Sequence, residues 1–278
     1  MKLFRHGVSG EERAGAVDAQ GVKRDISLLA PDITPDWLSP AKIAALAAID
    51  LSKFPVVGDN VRIGAPVGGI RQFVAIGANY RQHAAEAGIA IPKEPIVFNK
   101  AITCIQGPDD DLILPEASVA MDWEVELAVI IGTKAQRISV ETALTYVAGY
   151  CLANDVSERD WQIKRTGQWV KGKSFDTFGP LGPWLVTTDE LPDPQAIPLS
   201  LKVNGVQRQK NNTSDMIFSV AEIVSHLSQF MTLLPGDAIV TGTPEGVGLG
   251  MKPQMFLKRG DVMDLEAGIL GSQRQRVV

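Results

Sequence analysis

The stretch Met121-Asp122-Trp123-Glu124-Val125-Glu126-Leu127-Ala128-Val129-Ile130-Ile131-Gly132 constrains this chain more than any other. From Val125 onward it is a run of β-favouring apolar residues closed by a glycine, the pattern of a buried strand. Two carboxylates, Glu124 and Glu126, sit at the start of that run. Strand side chains alternate between faces, so positions two apart project to the same side and Asp122 is aimed roughly with them. Like charges beside an apolar wall repel and lose hydration unless something compensates them. A hard divalent cation such as Mg²⁺ is the simplest compensator, because it takes oxygen ligands and keeps waters that a substrate can replace. The other reading is an edge strand whose acidic face lies in water.

The rest of the chain is compatible with an ordinary globular protein. Its 278 residues are enough for one large domain with a small appendage, and 45% hydrophobic with 21% charged residues is a typical soluble composition. A net charge of −5 gives no electrostatic case for nucleic acid or an anionic membrane. No stretch approaches the roughly 18 apolar residues of a membrane span. The N-terminal residues show no signal-peptide pattern, and Cys104 and Cys151 match no ligand spacing. Both cysteines read as reduced core residues of a cytoplasmic protein.

Residues 1–68 read as a small N-terminal domain. Lys2 to His6, Gly15 to Asp18 and Val22 to Ile26 are short strands, with a turn at Asp18-Ala19-Gln20-Gly21. Ser39-Pro40 opens a helix running through Ile43, Leu46 and Ile49. Residues 69–278 then show many strands and few helices: Phe73 to Gly77, Pro95 to Asn99, Leu112 to Leu114, Gly149 to Ala153, Gly182 to Thr187, Leu199 to Val203, Ala238 to Thr241, and a last set from Asp261 to Val278. Asn204-Gly205 signals a hairpin turn. A helix is expected from about Ser139 to Val147, and Ser219 with Glu222 forms a capping box ahead of the apolar face Val220, Ile223, Val224, Leu227 and Met231. Helices are too few for strand–helix alternation, so the fold class is mainly β with some α, antiparallel or mixed rather than doubly wound.

Several segments carry candidate chemistry. Asp155 follows the strand ending at Ala153 and is placed either to complete a carboxylate triad with Glu124 and Glu126 or to serve as a turn aspartate. His83 and Glu86, three apart on a short helix, share a face; a carboxylate beside imidazole makes it a better general base, although such a pair is also common on helix surfaces. The small and apolar Ala87 to Pro92 that follows has the composition of a closing lid. Lys173, in Gly172-Lys173-Ser174-Phe175-Asp176, can neutralise a substrate carboxylate or a developing enolate. Thr241-Gly242-Thr243-Pro244-Glu245-Gly246-Val247-Gly248 is a strand leading into a glycine-rich loop whose N–H groups can cradle an anion. His6 and His226 read as structural.

Taken in order, five segments resemble the fumarylacetoacetate hydrolase superfamily from about Gln72 to the C-terminus. They are Ile76-Gly77-Ala78-Asn79-Tyr80 with His83 and Glu86; Asp122 to Leu127; Asn154-Asp155-Val156-Ser157; Gly172 to Asp176; and Thr241 to Gly248. The resemblance implies a mixed β-roll catalytic domain behind the small N-terminal one, a homodimer, and Mg²⁺ or Mn²⁺ held by Glu124, Glu126 and Asp155. It implies that His83 and Glu86 activate water under the lid, that Lys173 steadies anionic charge, and that Asn79, Tyr80, Gly242 and Thr243 bind substrate. Ala78 departs from the pattern, standing where many relatives have a larger or basic residue. The N-terminal unit and Asn212-Thr213-Ser214-Asp215-Met216-Ile217-Phe218 look most like members described as ureidoglycolate lyases or 2,4-diketo-3-deoxy sugar-acid hydrolases. The function expected is hydrolysis of a C–C bond in a 2,4-dioxo acid, either an acylpyruvate or a diketo sugar acid. The alternatives are a lyase, decarboxylase or isomerase on the same scaffold, and a non-catalytic oxo-acid-binding protein.

Overall fold

The computed structural model describes all 278 residues. Its main element is a ten-stranded, open sheet. The order of nine strands is Lys23–Asp25, Arg13–Val17, Lys2–His6, Leu185–Thr187, Val147–Asn154, Val125–Ile131, Ala238–Val240, Phe73–Gly77, Ile96–Lys100, with Ile63–Gly64 paired on Lys2–His6. Within it only Ala238–Val240 and Phe73–Gly77 run parallel. The remaining pairings are antiparallel, as expected of a chain with too few helices for crossovers. A four-stranded antiparallel sheet combines Val206–Asn212, Pro198–Val203, Val262–Glu266 and Ser272–Arg276. At its hairpin Asn204 and Gly205 both take positive φ, 51° and 76°, the conformation that makes Asn-Gly a two-residue turn.

The N-terminal residues do not form a sheet of their own. Lys2–His6 pairs with Leu185–Thr187, so the first three strands extend the main sheet. One apolar cluster of 62 buried residues runs from Met1 to Val277 and includes Leu3, Ile33, Val129 and Leu227. No helix is long and apolar enough to cross a membrane.

Local signals and structure agree where the signal was a cap or a turn. Ser39 caps the helix Pro40–Ala47, and Ser219 with Glu222 forms the full capping box of Val220–Phe230. Ile49 lies beyond the first of these helices and is 36% exposed. The helix expected near Ser139 is a 3₁₀ segment, Val140–Tyr146. Its β-branched and threonine-rich sequence, Val-Glu-Thr-Ala-Leu-Thr-Tyr, has weak α propensity. Leu112 to Leu114 forms no strand. Leu112 donates to the Arg276 carbonyl and accepts from Val278, and Leu114 donates to Val278, a contact with the chain's own end that no local pattern reveals.

Candidate active site

Strand register builds the acidic centre. Val147–Asn154 pairs antiparallel with Val125–Ile131, with Ala153 opposite Glu126 and Asn154 opposite Val125. One further step sets Asp155 beside Glu124, and the Asp155 N–H donates to the Glu124 carbonyl at 2.9 Å. Alternation then turns Glu124, Glu126 and Asp155 to one face, where the small Ala153 leaves room between them. One carboxylate oxygen of each lies within 4.8 Å of the others, and the three residues are at most 5% exposed.

Three cations surround these acids. Lys173 Nζ donates to Glu124 Oε2 at 2.5 Å and to Asp155 Oδ2 at 2.6 Å. Arg159 reaches Glu124 Oε1 at 2.7 Å and Asp122 Oδ2 at 2.8 Å. Lys100 Nζ donates to Asp155 Oδ1 at 2.5 Å and to the Lys173 carbonyl, and so ties a triad member to the short helix Val170–Lys173. Gly172 permits that arrangement, since a Cβ there would lie 2.5 Å from the Gln162 nitrogen and 2.4 Å from the Glu158 carbonyl. Asp122 is not a member of the triad: it accepts from the N–H groups of Trp123, Gly248 and Leu249 and thereby holds the loop that walls the site.

Glu126 has no cationic partner; its Oε2 accepts only the Gly242 N–H, at 2.7 Å. Burial, with the charges of Asp155 and Glu124 adding to it, pushes its carboxyl well above the usual range. Burial acts against ionisation of Glu124 too, but Lys173 and Arg159 outweigh it and hold that group down at about 2. Lys173 is raised, because Asp155 and Glu124 outweigh the cost of burying its ammonium. An all-oxygen triad with one acid lacking a counter-charge fits a hard divalent cation such as Mg²⁺ or Mn²⁺.

The pH dependence of stability follows. A group whose pKa is raised by folding contributes stability that is complete below its unfolded value, 4.5 for Glu126, and lost as pH rises through the folded one. The depressed Glu124 loses its contribution only as pH falls towards about 2. In chelator, thermal unfolding should therefore show stability falling as pH rises above about 4.5. Saturating Mg²⁺ should flatten that slope, because a cation replaces the proton. A slope unaffected by the metal would contradict this assignment.

A cavity of about 550 Å³ opens over Glu124 and Glu126, while Asp155 lies behind its lining, bonded to Lys100 and Lys173. Glu124, Glu126 and Lys173 line it, together with His83, Glu86 and Thr243. His83 and Glu86 lie on the helix Arg81–Glu86 with Nδ1 and Oε2 3.4 Å apart. Glu86 also accepts the Gly246 N–H at 3.1 Å, which docks this helix on the glycine-rich loop. Asn212 to Phe218 anchors the helix start, as Arg81 donates to the Asp215 and Met216 carbonyls. Ala87 and Ile89 of the lid-like segment border the cavity.

Of the four residues singled out for substrate, only Thr243 lines the cavity. Asn79 is fully buried and saturated, donating to Thr241 and Phe218 carbonyls and accepting the Phe218 N–H. Tyr80, which immediately precedes the helix, is fully buried with its hydroxyl unpartnered; neither residue lines the cavity. The Gly242 N–H is committed to Glu126. Thr243 does face the cavity, its hydroxyl donating to the Val125 carbonyl and accepting from Gln209. Sequence reasoning missed Arg159, Gln162 and Lys100. Arg159 Nη1 donates to Gln162 Oε1 at 3.0 Å, both border the cavity, and Arg159 Nη2 is buried without a partner. The signal available was Arg159 and Gln162 spaced three apart, four and seven residues after Asp155.

The model of the fumarylacetoacetate (FAA) hydrolase C-terminal domain matches residues 72–278. A Burkholderia cenocepacia (strain HI2424) protein with the provisional name of hydrolase is 54% identical over 277 residues, covering 99% of this chain and 98% of that protein. Among solved structures, fumarylacetoacetate hydrolase from the psychrophile Exiguobacterium antarcticum is similar at a TM-score of 0.89 and 36% identity, covering 100% of this chain and 99% of that one. The 2-hydroxyhepta-2,4-diene-1,7-dioate isomerase of Mycobacterium marinum is similar at 0.75 and 32%, covering 100% and 98%. An α+β body carrying a buried triad of acids under a cavity thus defines an enzyme class. The chain belongs to the fumarylacetoacetate hydrolase superfamily.

Proposed function

We propose that this enzyme is a divalent-metal-dependent hydrolase that cleaves a C–C bond of a 2,4-dioxo acid, an acylpyruvate or a 2,4-diketo-3-deoxy sugar acid, and releases pyruvate or a related 2-oxo acid. The observation that supports it is the meeting of Glu124 and Glu126 with the His83–Glu86 pair in one cavity, with Asp155 buried beside the two acids. Glu124, Glu126 and Asp155 would hold Mg²⁺ or Mn²⁺, which when bound supplies a Lewis acid for the enolate charge that cleavage creates.

The chain's own groups do the rest. Glu86 orients the imidazole of His83, which takes a proton from water as the water oxygen adds to the C4 carbonyl. The C3–C4 bond then breaks, its electron pair passes into the enolate of the 2-oxo acid, and the proton held by His83 is returned to C3. The acyl half leaves as a carboxylic acid bearing the water oxygen. Lys173 and Arg159 supply positive charge beside the developing anion. Closure of Ala87 to Pro92 excludes bulk water during the step. The same reading takes the enzyme as a cytoplasmic homodimer.

Turnover of acylpyruvates, a 2,4-diketo-3-deoxy sugar acid, ureidoglycolate and oxaloacetate, each with Mg²⁺, Mn²⁺ or chelator, tests the proposal. The expected result is metal-dependent pyruvate release from the dioxo acids, abolished by chelator, with ¹⁸O from labelled water in the released acid. Turnover confined to ureidoglycolate or oxaloacetate would overturn it. Similarity to a solved isomerase favours a second reading, in which His83 and Glu86 only move protons and no label is incorporated.

A further inference from the structure

The cavity is chemically two-sided. Its charged floor consists of Glu124 and Glu126 with Lys173 and Arg159. The rest of the lining includes the apolar Ala78, Phe98, Ile163, Trp169, Leu249 and Met251. The Lys173 ammonium lies 5.3 Å from the Phe98 ring centre, and Phe98 meets the Trp169 ring edge-on at 5.2 Å. Trp169 in turn lies flush on the backbone of Gly77, where even a Cβ would come within 2.3 Å of the indole. The next residue, Ala78, offers only a methyl group to the cavity.

From this arrangement we infer that the enzyme selects substrates whose group beyond the scissile bond is apolar, an aryl or branched alkyl chain, over polyhydroxylated or second-carboxylate chains. The inference rests on the hydrolase reading above and narrows its substrate class. Aromatic carbons gain by leaving water for the Phe98–Trp169 surface, whereas sugar hydroxyls placed there would lose their water partners. Lys252 is the one further cation bordering the cavity; it is exposed and has no ion-pair partner. Its ammonium stays hydrated, so it gives a distal carboxylate little to offset desolvation.

The test compares kcat/KM of the wild-type enzyme, with Mg²⁺, for acetylpyruvate, benzoylpyruvate, succinylpyruvate and a 2,4-diketo-3-deoxy sugar acid. Benzoylpyruvate should exceed each of the others by about tenfold or more. Trp169→Ala should bring the benzoyl-to-acetyl ratio towards one. Preference for the sugar acid or for succinylpyruvate would overturn the inference while leaving the hydrolase reading in place. An inhibition or binding series of pyruvate, 2-oxohexanoate and 4-phenyl-2-oxobutanoate separates the two readings in the other direction. Affinity rising about tenfold along the series supports the apolar wall even if no dioxo acid is hydrolysed. Equal affinities would overturn it. The same series serves if Trp169→Ala does not fold, with Ala78→Asp expected to abolish the gain.

Discussion

Replacement of Glu126 by glutamine should remove metal-dependent turnover without weakening the fold. Turnover is expected to fall by more than about 100-fold, since even the outer partners of metal ligands cost 10–100-fold when lost. Glutamine keeps the shape and can still accept the Gly242 N–H that Glu126 Oε2 accepts now. It also removes the charge that burial, Asp155 and Glu124 oppose. In chelator the variant should therefore melt at the same temperature as the wild type or above it, by about 2–4 °C for each kcal/mol of relieved repulsion. Its apparent affinity for Mg²⁺, measured by calorimetry, should drop in parallel with activity. Activity within twofold of wild type, or a lower melting temperature in chelator, would mean that Glu126 is a structural acid.

The second large effect is expected at His83. His83→Ala should lower kcat by about 10²–10⁴-fold, the usual contribution of a positioned general base. Metal affinity should stay within about twofold, because His83 bonds Glu86 and no member of the triad. Glu86→Gln should be milder in kcat and should raise KM, since Glu86 both orients the imidazole and accepts the Gly246 N–H at the cavity wall. Stopped-flow measurement of pyruvate release, paired with Mg²⁺ titration, separates these effects. If His83→Ala lost metal binding and turnover together, the imidazole would belong to the metal centre and not to the water.

How much was legible differs between the parts of the site. Glu124 and Glu126 announce themselves because a strand's period of two makes their common face a consequence of spacing, and Asp155 follows a recognisable strand end. His83 and Glu86 are equally local, being three apart on one helix. The substrate roles given to Asn79, Tyr80 and Gly242 rest on resemblance. The structure commits two of them elsewhere, with Asn79 bonded to Thr241 and Phe218 and Gly242 to Glu126, and buries the Tyr80 hydroxyl without a partner. Lys100 stood in a plain strand, with nothing nearby to mark it; its partners are 55 and 73 residues away.

By itself the sequence determined the hairpin turn at Asn204-Gly205, the capping box at Ser219, the mainly antiparallel β class and the face shared by Glu124 and Glu126. All are set by interactions within a few residues, where backbone geometry dictates the outcome. Tertiary structure alone decided that the first strands extend the main sheet and that Leu112 pairs with the chain's end. It also decided that Lys100, Arg159 and Lys173 compensate Asp122, Glu124 and Asp155 and leave Glu126 without a counter-ion. Those outcomes depend on which distant segments lose their water together, and the energy of a buried charge is set by the neighbours that share its burial.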